Sequence, residues 1–197
     1  RADLGLTTDC RLVISLNSFR PNDGLETVVD ALALLPDNVH LAVLGTPARG
    51  TAADILLQRA ASAGTRARLH FPPLQMPSRL VGYLAGADMG VVALRPLTAN
   101  LRVALPNRLF ELIAAGVPVA TSRTTDIAAL VTRFRAGCVY DEDDPHAAAA
   151  AIADILDHSE RYREAVANAM RDLNWNQEGL HYLRAIEDLA GVGTAGS

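Results

Sequence analysis

Side chains able to hold an anion or a pair of hydroxyls gather in two stretches of this chain. Residues 17–23 bring Asn17, Ser18, Arg20 and Asn22; residues 95–105 bring Arg95, Thr98, Asn100 and Arg102, with Asn107 and Arg108 directly after them. A guanidinium presents a planar fork of donors that matches phosphate oxygens, and amides and hydroxyls complete such a shell. Shortly past Arg108 stands Glu111, the one charge in the otherwise apolar run LFELIAA at 109–115. A helix apolar nearly all round is a buried helix, and a carboxylate inside one is costly unless it pairs or reaches polar space. Two readings follow. Glu111 forms an ion pair with Arg108 at i, i+3 spacing, worth roughly 0.2–0.5 kcal/mol. Alternatively, it accepts hydrogen bonds from two vicinal hydroxyls, as a ribose presents them. The two polar stretches are likewise either ordinary surface loops or facing walls of one site.

All 18 fixed basic side chains are arginine, because the sequence holds no lysine. A Walker-A loop, a protein kinase and a pyridoxal-phosphate Schiff base each require a lysine, so all three are excluded. The loop NSFRPNDG at 17–24 has one glycine where a dinucleotide fingerprint needs three, which disfavours nicotinamide and flavin enzymes. Phosphate must then be held by Arg, backbone N–H groups or a helix N-terminus. Other chemistry-bearing residues are weaker candidates. His40 lies inside an apolar run and reads as structural, while His70 ends one and is placed equally well at a site rim. Asp141 to Asp144 reads as a solvated turn and helix cap, with no partner ligands at metal spacing. Trp175 reads as a packing anchor. Cys10 and Cys138 have no metal or redox spacing, leaving free thiols or one disulfide open. No metal and no cofactor are expected.

Positioning these residues requires a scaffold, and the pattern supplies one. Apolar runs at 11–16, 39–44, 68–71, 89–94, 118–121 and 138–140 predict six strands. Between them the spacing predicts helices over 23–35, 51–63, 78–85 and from Pro106 or Asn107 to Gly116. Asp23 with Glu26 forms a capping box for the first, and Thr51 caps the second. Pro145 sits in a first helical turn after Asp144, and helices then run to about Leu189 with a break near Asn174 and Trp175. Alternating strands and helices predict an α/β, doubly wound, Rossmann-like parallel sheet with helices on both faces. Ligands bind such a sheet at the carboxyl ends of its strands where the winding reverses, here between strands one and four. Both polar stretches leave those two strand ends.

The length, 197 residues with a net charge of −4, suits one compact domain over 1–190 with a frayed tail at 191–197. The acidic balance argues against nucleic acid as a partner. No run approaches the ~20 apolar residues of a membrane span, and a reducing cytoplasm is the simplest setting for the two cysteines.

Over nearly its whole length the chain resembles the C-terminal domain of retaining group 1 (family 4-like) glycosyltransferases of the GT-B fold. RADLGL at 1–6, DGLETVVDALALL at 23–35, HLAVLG at 40–45, LHFPP at 69–73 and YLAGADMGVVAL at 83–94 match its landmarks in order, and LPNRLFELIAAGVPVA at 105–120 matches best. The resemblance implies one half of a GT-B fold that binds a nucleotide diphosphate-sugar, with metal-independent transfer and retention of anomeric configuration. Glu111 is then expected on the ribose hydroxyls, and Asn100, Arg102, Asn107 and Arg108 along the donor sugar and diphosphate. Ser18 and Arg20 are expected near the diphosphate, and Phe71 to Leu74 beside the base. Two family positions differ: Val103 replaces the first carboxylate of a Glu-x7-Glu pair, and Ser18 and Asp23 replace a basic pair. The acceptor-binding N-terminal domain of the family is expected elsewhere in a longer parent, leaving the catalytic residue unassigned and this domain inactive when isolated. The parent has room for peripheral membrane association. A nucleotide-sugar epimerase of the same fold and a non-catalytic assembly or regulatory module remain alternatives.

Overall fold

The structure, a computed structural model, describes residues 1–17, 19, 23–45, 52–173 and 175–189. Six strands run β1 (Arg11–Leu16), β2 (Val39–Leu44), β3 (Leu69–His70), β4 (Met89–Val92), β5 (Val119–Ser122) and β6 (Gly137–Tyr140). They form one sheet in the order β3-β2-β1-β4-β5-β6, every neighbouring pair parallel. The winding therefore reverses between β1 and β4, where the sequence reading places it.

Helices cover both faces, and strand alternation sorts the core into two halves. Val13 of β1 with Leu41 and Val43 of β2 faces α1 (Leu25–Leu32), α2 (Ala52–Ser62) and α7 (Pro145–Asp157), packing on Val28, Leu56 and Ile152. Leu12, Ile14, Ala42 and Leu44 face the other way. They meet Leu84 of α3 (Pro77–Leu84), Leu109 and Leu112 of α5 (Asn107–Ala114), Ile127 of α6 (Thr125–Phe134) and Val166 of α8 (Ser159–Asp172). This period-two division is what a parallel sheet buried on both faces demands.

Several elements depart from the sequence reading. β3 pairs over only Leu41↔Leu69 and Ala42↔His70, because Pro72 and Pro73 cannot extend the ladder. Helix α1 begins at Leu25 with Gly24 as its N-cap, at φ 95°; Asp23 accepts the Leu25 N–H instead of capping a full box. A short helix α4 (Ala99–Arg102) lies inside the expected loop, held by Thr98 Oγ1 accepting the Leu101 N–H. The sequence reading assigns no helix between Thr121 and Cys138, and α6 fills that span. Asp144 caps α7 as expected, its Oδ1 accepting the N–H groups of His146 and Ala147. The last helix is α9 (Trp175–Leu189). The expected cap at Thr51, the break at Asn174, the tail at 191–197 and the Trp175 side chain lie outside the described residues. Both cysteines are free thiols.

Candidate functional site

Strand β1 runs alongside β2 over six residue pairs but alongside β4 only at Val13↔Met89 and Ile14↔Gly90. Beyond Ile14 the register between the two central strands ends, and side chains add the bonds that continue the seam. Ser15 donates its hydroxyl to the Val91 carbonyl at 3.1 Å. Arg108, in the first turn of α5, donates to the Leu16 carbonyl at 3.0 Å and to the Ala93 carbonyl at 2.8 Å. Its guanidinium thus bridges the carboxyl ends of β1 and β4. Ser122 finishes β4 in the same way, donating to the Leu94 carbonyl at 2.6 Å and accepting the Leu94 N–H at 2.9 Å.

Above this seam opens a cavity of about 500 Å³. Its polar lining is Asn17, Asp23, Gln75, Arg95 and Arg108; its apolar sides include Leu16, Leu44, Leu74, Leu97, Leu101 and Pro106, with Gly45 at one edge. Gly45 is there for lack of room: a Cβ would stand 2.0 Å from the Asn17 carbonyl oxygen. Asn17 is buried at 8% exposure and accepts the Phe19 N–H on its side-chain oxygen at 2.5 Å. The Asn17 side chain also favours the charged form of the Asp23 carboxyl by hydrogen bonding, whereas the Nε atoms of Arg95 and Arg108 are buried without a hydrogen-bond partner among the described residues. Unpartnered buried donors are uncommon in folded proteins, and two of them on arginines lining one cavity point to a ligand with acceptor atoms.

The electrostatics are balanced. Burial pushes the Asp23 carboxyl above its ordinary value, against the Leu25 N–H and the Arg108 charge, which favour the carboxylate. Burial pushes the Arg108 guanidinium down, with Asp23 acting in the opposite sense. Tyr140, the last residue of β6, is fully buried beneath the site, and burial drives its phenol strongly upward. Arg95 is the more accessible cation. Its side chain is 25% exposed and pairs at 2.9 Å with Asp143, itself 73% exposed on the turn between β6 and α7.

The expected site residues separate. Arg108 and Leu74 line the cavity. Asn100, Arg102 and Asn107 lie nearby in sequence and space on α4 and α5, but are solvent-exposed and outside the lining. Phe71 packs its ring against Phe19, centroids 5.6 Å apart, and so props the β1–α1 connection, where Phe19 takes a φ of 51°. Ser18 and Arg20 lie outside the described residues. Glu111 is half-buried one turn into α5, outside the lining. The expected Glu111–Arg108 ion pair is not formed: Arg108 turns inward to the strand carbonyls, and Glu111 has no ion-pair partner among the described residues. Nor is α5 buried all round; Leu109, Leu112 and Ile113 form one buried face. Asn17, Asp23 and Arg95 join Arg108 in the polar lining on the β1 and β4 sides. The signal for them was topological, since each follows β1 or β4. Tyr140 carried the same signal at the end of β6.

His40 and His70 meet each other, Nδ1 to Nε2 at 3.0 Å, on β2 and β3 and outside the cavity lining. No group of three potential metal ligands occurs among the described residues. No described helix is long and apolar enough to cross a membrane.

Comparison with known proteins agrees with this architecture. A family profile described as "Glycosyl transferases group 1" matches residues 1–172. The chain is 29% identical over 204 residues to a D-inositol 3-phosphate glycosyltransferase of Acidothermus cellulolyticus, covering 98% of this chain and 42% of that protein. It is 30% identical over 166 residues to the lipopolysaccharide core biosynthesis glycosyltransferase LpsE of Rhizobium meliloti, covering 84% of this chain and 45% of that one. Among solved structures, Anabaena HepE in complex with UDP and glucose superposes with a TM-score of 0.80 at 17% identity, covering 95% of this chain and 51% of that chain. The chain spans less than half the length of these two curated relatives.

Proposed function

The chain belongs to the group 1 glycosyltransferases, and we propose that its crevice holds the nucleotide diphosphate-sugar donor of a longer, retaining and metal-independent enzyme. The observation that carries this reading is the cavity at the switch point between β1 and β4, walled by Arg95, Arg108 and the start of α5. An open sheet binds ligands there, and the first-turn N–H groups of a helix facing the Arg95 guanidinium across one cavity suit a diphosphate. The same groups, fixed before the reaction, would stabilise negative charge building on a departing diphosphate. Glu111, with no ion-pair partner among the described residues and half-exposed on α5, is free to accept the two hydroxyls of a ribose. Asn107, Arg102 and Asn100 on α4 and α5 stand next to the crevice mouth, where the donor sugar would pass. Leu74 offers an apolar surface to the base.

The acceptor site and the catalytic residue belong, in this reading, to an N-terminal domain of the parent. Comparable relatives are more than twice as long as the matched region, which supports that division. A cytoplasmic setting, with peripheral attachment of the parent to a membrane where its acceptor requires it, completes the proposal. The UDP complex of HepE makes uridine diphosphate the first ligand to try. Calorimetry of the full chain against uridine, guanosine and adenosine diphosphates is expected to give binding to one of them, weakened about tenfold or more, some 1.4 kcal/mol, by Glu111→Ala. Absence of binding to all three at millimolar concentration would refute the reading.

A further inference from the structure

Of the two cations that line the cavity, Arg108 has little to offer a ligand. Two of its nitrogens are committed to the Leu16 and Ala93 carbonyls, and the Asp23 carboxyl beside it offsets its charge. Arg95 is placed differently. Its side chain crosses the mouth of α1, with Cγ about where a Cβ on Gly24 would touch it, at 3.5 Å. Its Nε is buried without a hydrogen-bond partner among the described residues, and one terminal nitrogen holds Asp143. Asp143 comes from the β6–α7 turn, faces solvent and lies outside the cavity lining. A pair of that kind is weak and readily exchanged, because water and salt screen the partner. A phosphate in the cavity would meet the same guanidinium in a less solvated place and could engage two of its nitrogens at once.

Resting on the donor-binding reading above, we infer that Arg95 is the diphosphate-binding cation of this site, and that Asp143 is its resting partner, displaced when the diphosphate enters. Asp143 acts as an internal competitor. Removing it frees Arg95, whereas removing Arg95 removes the clamp. The two substitutions must then move affinity in opposite directions, which a merely structural ion pair does not predict.

The experiment is calorimetry of the full chain with uridine diphosphate, inorganic pyrophosphate and uridine, on wild type, Arg95→Gln and Asp143→Asn. Arg95→Gln is expected to weaken uridine diphosphate and pyrophosphate by about tenfold or more, the loss of a charge-assisted contact, while leaving uridine unchanged. Asp143→Asn is expected to tighten both phosphate ligands by about two- to fivefold, the range open to a surface ion pair. Asp143 is exposed, so its variant folds and reports even if Arg95→Gln does not. Wild type failing to bind any nucleoside diphosphate overturns the donor-binding reading itself. Wild-type binding with unchanged or weakened affinity in Asp143→Asn, or with Arg95→Gln weakening uridine equally, overturns the assignment of Arg95 and leaves the broader reading standing.

Discussion

Replacing Arg108 by Met tests whether the seam between β1 and β4 is held as the geometry says. Methionine fills similar space with no donors, so the Leu16 and Ala93 carbonyls lose bonds of 3.0 and 2.8 Å. Each bond from a charged donor is worth about 1.5–3 kcal/mol. The Asp23 carboxyl in the same cavity also loses the favourable charge of Arg108. These costs overlap, because water entering the cavity rehydrates part of what is exposed, so a net loss of about 4 kcal/mol is expected. With a urea slope of about 2–3 kcal/mol per molar, the unfolding midpoint should fall by about 1–2 M. Adding Asp23→Asn removes the stranded carboxyl and should recover about 1 kcal/mol or more of that loss, a coupling readable from the double-mutant cycle. A loss under about 1 kcal/mol in Arg108→Met would refute the bridging role. It would leave Arg108 free for a ligand instead.

Two further outcomes can be checked. Gly45→Ala would drive a Cβ to 2.0 Å from the Asn17 carbonyl oxygen, so the β1–α1 connection must shift. A stability loss of about 1–3 kcal/mol by denaturation is expected together with weaker nucleotide binding by calorimetry. The His40–His70 pair supplies a pH signature. Burial pushes both imidazoles below the ordinary 6.5, so the unfolded chain takes up protons that the folded one refuses. Their contribution is present above 6.5 and lost as pH falls through the lower folded values. Thermal unfolding of His40→Gln/His70→Gln should therefore depend less on pH below 6.5 than wild type does; parallel profiles would contradict this.

Much of the scaffold was legible because parallel strands buried on both faces read as plain apolar runs. β1 and β2 begin and end where RLVISL and VHLAVL do. β4 ends two residues before its apolar run does, since Ala93 and Leu94 are as apolar as the strand but serve as anchors for Arg108 and Ser122. Helix α6 carries a helical signal of its own, since Ile127, Leu130, Val131 and Phe134 recur at i, i+3, i+4 and i+7. The site was legible as two loops and blurred within them. Sequence spacing allowed Arg108 to reach Glu111 but held nothing about the two strand carbonyls that compete for the same guanidinium. The pairing of Arg95 with Asp143 joins residues 48 positions apart and depends on β4 and β6 ending on the same side of one parallel sheet, with β5 between them. Composition carries no trace of it.

The short register between β1 and β4 has one more consequence, for how such a site can diversify. In most of the sheet, depth and spacing are fixed by main-chain pairing that no point mutation removes. At the carboxyl end of this seam Ser15 and Arg108 add to that pairing. Single substitutions there can deepen or narrow the crevice without altering strand order, at a cost in stability that the two apolar cores must absorb. A new ligand size is then within reach of one or two mutations on an unchanged topology.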